Sequence, residues 1–228
     1  PNINGRGYGF FKITEGESSG LWSVLRSSED EVLKGSLLIT LYENLRWKTI
    51  SPQGFREEML AYLPNESNSL LFSMALSYLG DCQRIFPSDS RPLEQVLWKI
   101  VTTNPVSQHR LQAFRLYRSI ADSEEAVQRL YTLWQERKAP KDCTLSESDY
   151  IGLSYMLAMH LPEKADKIIA TQLSRIQNPD RKKEYQFISP SVSPRKAERD
   201  SVFASLLIAG NRRVEPWASS ALANLNHR

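Results

Sequence analysis

Histidine and cysteine are scarce in this chain, three and two among 228 residues. Cys82 and Cys143 cannot build a disulfide framework, and neither sits in a C-x-x-C context, so both read as packed thiols. His109, His160 and His227 form no H-E-x-x-H, which excludes the helical two-histidine zinc site. An excess of one charge is lacking too. Lys and Arg number 29 against 26 Asp and Glu, a surplus of +3 that exerts little pull on nucleic acid or anionic lipid. No apolar run approaches the roughly 18 to 20 residues that cross a bilayer, and Val202–Ala209 is among the longest. There is neither an initiator Met nor a signal peptide. The chain opens at Pro1 and reads as a piece of a longer polypeptide, expected in the cytoplasm or periplasm.

What is present is an average globular composition, 41% apolar and 24% charged, sufficient for one or two domains. The first stretch differs from the rest. Ile3, Tyr8, Phe10, Phe11 and Ile13 stand among Gly5, Gly7 and Gly9, a strand-like pattern whose ladder groups need a partner. Residues 1–13 therefore read as the end of a preceding β domain, and 14–228 as a helical array. Thr14–Gly20 reads as a polar loop. Ser28-Glu29-Asp30-Glu31 reads as a capping box opening a helix lined by Leu33, Leu37, Leu38, Leu41 and Leu45. Further helices are predicted from Ser51-Pro52 to Pro64-Asn65, over Leu70–Leu79 stopping at Gly80, and over Leu93–Val101, Ser107–Ile120 and Ser123–Gln135. They resume, after a charged loop at Arg137–Thr144, over Glu147–His160, Pro162–Ile176, Pro194–Ala209 and Glu215–Leu225. Arg181–Ser193, polar and holding Pro190, reads as a long connector. Helix pairs recurring at about 35 to 45 residues match HEAT or armadillo-like arrays. The fold class is thus all-α, an irregular α–α superhelical array carrying a short N-terminal β segment left from an upstream sandwich.

Catalytic patterns fail one after another. His160-Leu-Pro-Glu163 has an H-x-x-E spacing, but Lys164 stands where a second His would be and Pro162 breaks the helix, leaving a helix-end histidine. Gly152-Leu-Ser154-Tyr155 resembles a nucleophile elbow, yet Met156 replaces the second Gly and the serine falls mid-helix. Gly5, Gly7 and Gly9 lack the spacing and the following helix of a dinucleotide loop. Glu124/Glu125 and Glu29-Asp30-Glu31 complement helix dipoles. Arg181-Lys182-Lys183 and Arg212-Arg213, flanked by acids, read as solvated surface. Asn65-Glu66-Ser67 fits a glycosylation sequon, one tripeptide with little weight. Trp22, Trp47, Trp98, Trp134 and Trp217 read as core anchors between helices. No residue of this chain is a candidate for catalysis or for metal binding.

A family resemblance adds what composition cannot. Pro1-Asn-Ile-Asn-Gly5-Arg-Gly7-Tyr8-Gly9-Phe10-Phe11 resembles the last β segment before the helical domain of zinc aminopeptidases of the aminopeptidase N family. Leu111-Gln-Ala-Phe-Arg115 with Ser123 and Leu130–Trp134, Leu145-Ser146 with Asp149, and Asn178-Pro179-Asp180-Arg181 before Phe187 are similar to the family's pattern. So is Arg213-Val-Glu215-Pro216-Trp217 with Ala221-Leu222, Leu225 and Asn226-His227 behind it, although the family usually runs on into Pro-Leu where this chain has Arg228.

The resemblance implies a parent that removes N-terminal residues from peptides, with zinc held upstream of Pro1 by H-E-x-x-H and a later Glu. It implies that this chain supplies no catalytic group and no metal ligand. Its role would be to close over the cleft of the upstream catalytic domain and restrict access of peptide substrates. Arginines on a concave face would meet peptide carboxylates, but which residues touch substrate is not assigned. Arg181 is expected to cap a turn, and Glu215, Pro216 and Trp217 to start and anchor the last helix. Neither nucleic acid nor membrane is an expected partner. The competing expectation is a stand-alone helical-repeat scaffold binding a protein or RNA in its groove.

Overall fold

Helix capping and buried apolar stripes account for most of the architecture. In the computed structural model, which describes residues 11–226, these residues form twelve α-helices and four short 3₁₀ turns, with no strand among them. The helices are α1 (Glu15–Ser27), α2 (Glu31–Arg46), α3 (Pro52–Tyr62), α4 (Ser69–Ile85), α5 (Arg91–Thr103) and α6 (Ser107–Ile120). They continue as α7 (Glu124–Glu136), α8 (Glu147–His160), α9 (Ala165–Arg175), α10 (Pro179–Ile188), α11 (Lys196–Leu206) and α12 (Glu215–Leu225). No helix among the described residues is long and apolar enough to cross a membrane.

The chain divides into two compact units. The first runs up to Ala121 and takes in Lys141–Cys143; the second comprises Asp122–Pro140 and the chain from Thr144 onward. In the first unit α4 packs on α2, α3 and α6, and α5 on α6. Leu37, Leu38, Leu41, Phe55, Phe72 and Phe114 are fully buried there, an aromatic and leucine core of the kind that supplies most of a small domain's stability. In the second unit α8 joins α7 to α9, and α12 packs on α10 and α11. Two small apolar clusters hold it, one around Ala158, Ala165 and Val192, the other around Leu206, Ala218 and Ala221.

Several expectations need correction. Thr14–Gly20 is not a loop but the first turns of α1. The Thr14 hydroxyl accepts the Glu17 N–H while the Glu17 carboxylate accepts the Thr14 N–H at 2.7 Å, and buried Trp22 and Leu25 pin the helix. The capping box expected at Ser28 does not form. Asp30 caps α2 instead, its carboxylate accepting the N–H groups of Val32 and Leu33 at 2.9 and 3.1 Å. A charged acceptor at a helix N-terminus interacts more strongly with the dipole than a hydroxyl does. α4 does not stop at Gly80 but continues to Ile85. The glycine is there for space, since a Cβ would lie 2.9 Å from Leu116 Cδ1 on α6. Arg181–Ser193 is not a connector: it holds most of α10, capped by Asn178 and anchored by buried Tyr185 and Ile188, and then a 3₁₀ turn, Ser189–Val192. The stretches that begin at Pro162 and Pro194 start their α-helices later, at Ala165 and Lys196. Of the five tryptophans only Trp22 and Trp134 are buried; Trp98 and Trp217 are half-buried and Trp47 is 67% exposed.

The expected β segment lies mostly outside the described residues. Phe11–Thr14 is irregular, and its main chain is met by a side chain. Asn44, fully buried on α2, accepts the Ile13 N–H at 2.9 Å and donates to the Phe11 carbonyl at 2.8 Å. One amide thus supplies the two hydrogen bonds a neighbouring strand would.

Candidate functional site

His109 and His160 fall in different units. His109 on α6 is fully buried, stacked on Phe72 with ring centroids 4.0 Å apart, and its Nε2 lies 2.9 Å from the Ser69 hydroxyl. Burial holds its imidazole below the usual range, against the opposing pull of Glu66. His160 ends α8, with Nδ1 3.9 Å from Asp122 Oδ1, while Glu163 is exposed beside Lys164. His227 and the glycines at 5, 7 and 9 lie outside the described residues. Among the described residues no three of His, Cys, Asp and Glu gather where a metal could be held.

The serine and cysteines singled out in the sequence are buried or half-buried. Ser154 is fully buried in mid-α8, donates to the Ile151 carbonyl at 2.7 Å and lies 2.9 Å from the Tyr185 hydroxyl. Cys82 is buried beside Arg56, and burial pushes its thiol up. Burial likewise raises half-buried Cys143. Asn65 and Ser67 are exposed around the buried Glu66. Arg181 reaches the Glu147 carboxylate at 3.0 Å, and the same carboxylate accepts the Gln177 N–H, so Arg181 ties the start of α8 to the approach to α10. Lys183 lies 3.8 Å from Asp180.

One cleft of about 510 Å³ opens within the second unit. Its apolar lining is Ala158, Met159, Pro162, Val192, Pro194 and Leu225, and its polar lining is Asp122, His160, Ser191, Ser193, Arg199 and Asn224. The end of α8, the turn after α10, α11 and the end of α12 each contribute. The polar groups largely serve one another. Ser191 donates to the Ile188 carbonyl at 2.7 Å and accepts from the Asn224 amide at 3.0 Å. The Ser193 hydroxyl accepts the Arg195 N–H, and the Ser193 carbonyl accepts from Arg199 Nη1 at 2.6 Å. Sequence reading finds none of this, because five separate segments contribute between one and four residues each and no spacing links them. The arrangement can hold a small molecule.

Two of the segments named in the family resemblance open helices of this unit. Asn178-Pro179-Asp180-Arg181 opens α10 and Glu215-Pro216-Trp217 opens α12, and Phe187 of α10 faces Trp217 with ring centroids 5.8 Å apart. Compared with protein-family models, curated proteins and solved structures, the chain matches none.

Proposed function

We propose that this chain is the non-catalytic helical domain of a zinc aminopeptidase of the aminopeptidase N type, closing over the cleft of the catalytic domain and limiting which peptides enter. In this reading residues 1–13 end a β-sandwich and the helices continue as a HEAT-like array. The observation that carries it is the Phe187–Trp217 contact. Phe187, near the end of the helix that Asn178–Arg181 opens, packs on Trp217 of the resembling stretch that opens α12, as parts of a single design would. An all-helical chain of this length is consistent with it. Zinc would be held by residues upstream of Pro1, and no step of the reaction is assigned to this chain. Its contribution would be exclusion: a wall of helices that admits extended peptides, rejects folded proteins and sheds water.

The test is made on the parent polypeptide. The sequence preceding Pro1 is expected to contain H-E-x-x-H followed by a zinc-ligand Glu. Hydrolysis of a dipeptide and of a decapeptide is then compared with and without residues 14–228. A changed length preference is the expected result. An unchanged ratio, or a preceding sequence without the motif, removes the gating role and leaves a helical scaffold whose partner would be sought by pull-down.

A further inference from the structure

The cleft of the second unit carries one arginine that no acid of the described residues pairs with. Arg199 is half-buried in its wall, and its only hydrogen bond within the described residues goes to the Ser193 carbonyl. The acids beside it on α11 are committed elsewhere: Glu198 to Arg195 at 2.5 Å, and Asp200 to Lys196 at 2.6 Å. Asp166 on α9 is held two-pronged by Arg195 at 2.8 and 2.9 Å. Asp122, the acid of the cleft itself, faces His160. An arginine whose fork retains free N–H donors, beside an apolar wall and away from its neighbours' carboxylates, is a receptor for a planar anion.

The rest of the lining narrows the ligand further. Ser191, Ser193 and Asn224 are already bonded within the protein. A peptide main chain brought here would bury N–H and C=O groups with few partners left to take them, at a full desolvation cost. A molecule with one anionic end and an otherwise apolar body meets no such penalty. Its body would lie against Ala158, Met159, Val192 and Leu225, with the methionine thioether able to adapt to an aromatic ring. We infer that this cleft binds a free organic monocarboxylate with a compact apolar, preferably aromatic, body, its carboxylate on Arg199. The inference stands on the cleft alone and is independent of the aminopeptidase reading.

The test uses the full chain and the methyl NMR signals of its four methionines, titrated with 3-phenylpropanoate and with the uncharged 3-phenylpropanamide. The Met159 methyl should shift and saturate with a Kd on the order of 0.1–1 mM for the acid, while buried Met59 of the first unit stays still. The amide should bind about tenfold more weakly or worse, as should the acid to Arg199→Gln, and Arg199→Lys should retain part of the affinity. Thermal melts of both variants report whether the fold is kept; should Arg199→Gln fail to fold, the acid–amide comparison on the unaltered chain still decides. No Met159 shift by about 10 mM would overturn the inference. So would equal binding of acid and amide, equal binding by a folded Arg199→Gln variant, or tighter binding of the tripeptide Ala-Ala-Phe than of the free acid.

Discussion

Helices α2 and α11 show how differently this chain uses apolar residues. α2 buries seven of its sixteen residues, among them Leu37, Leu38, Leu41 and Leu45 at zero exposure. α11 buries Leu206 alone and leaves Phe203 54% exposed, with Leu207 at 70% and Ile208 at 61% just beyond it. The difference is one of neighbours. Three helices, α1, α3 and α4, surround α2, whereas α11 rests on α12 and the turns at Ser189–Val192 and Ala209–Arg212. A helix covered from several sides converts its hydrophobic stripe into stability, and one covered from a single side leaves much of that free energy unrealised.

Polar groups follow the same division. Around α2 they are buried and mutually bonded. The Glu66 side chain, 1% exposed, accepts from Lys34 Nζ and the Asn68 N–H, both at 2.7 Å, and from the Tyr62 hydroxyl. Along α11 the ion pairs are solvated: Arg195 and Asp166 are 52% and 70% exposed. Exposed pairs of that kind contribute little, whereas breaking a buried network strands desolvated charge.

Four substitutions sharpen or break this contrast, followed by chemical denaturation with hydrogen exchange to show which unit responds. Phe114→Ala, in the core of the first unit, should destabilise by about 3–5 kcal/mol through cavity formation; a loss below about 1 kcal/mol would mean that core is no more firmly packed than the α11 region. Glu66→Gln should cost about 2–3 kcal/mol by stripping charge from the network. Its pH signature is distinctive. Burial alone pushes the Glu66 carboxyl up, but Lys34, Tyr62 and the Asn68 N–H together pull it below the ordinary range. A folded pKa below the unfolded one means that stability is fully present above about pH 4.3 and is lost as pH falls through the folded value. Thermal melts between about pH 5 and 2 should therefore fall more steeply for the unaltered chain than for Glu66→Gln, and parallel curves would show that Glu66 is not ionised in the network. Trp217→Ala, half-buried against Phe187, should cost about 1–2 kcal/mol, less than a fully buried ring; a loss of about 4 kcal/mol would place the C-terminal helix on a par with the first unit. Leu207→Ser should change stability by less than about 0.5 kcal/mol, and a larger loss would mean that the exposed apolar residues after α11 are packed in solution.

Legibility along the chain tracks burial and capping chemistry. The spans expected for α6, α8 and α12, Ser107–Ile120, Glu147–His160 and Glu215–Leu225, coincide with those observed. Each combines a helical period with polar or Pro residues suited to its first turn. α10 was illegible because it holds two buried residues, Tyr185 and Ile188, in a polar decapeptide, too few to display a period. α1 was hidden by Gly16 and Gly20, which suggest a loop; both sit where nothing lies within 4 Å of a would-be Cβ, so no packing required them.

The sequence by itself determined that the chain is helical and where most helices begin, because capping and amphipathic periodicity are local properties of neighbouring residues. Only the tertiary structure decided that Asn44 serves the Phe11–Ile13 main chain, that Gly80 makes room for Leu116, that Trp217 is half-buried, and that Arg199 shares a cleft with an Asp122 that faces His160. Each of these depends on residues brought together from distant parts of the chain, and which side chain meets which is settled by packing rather than by any pattern along the sequence.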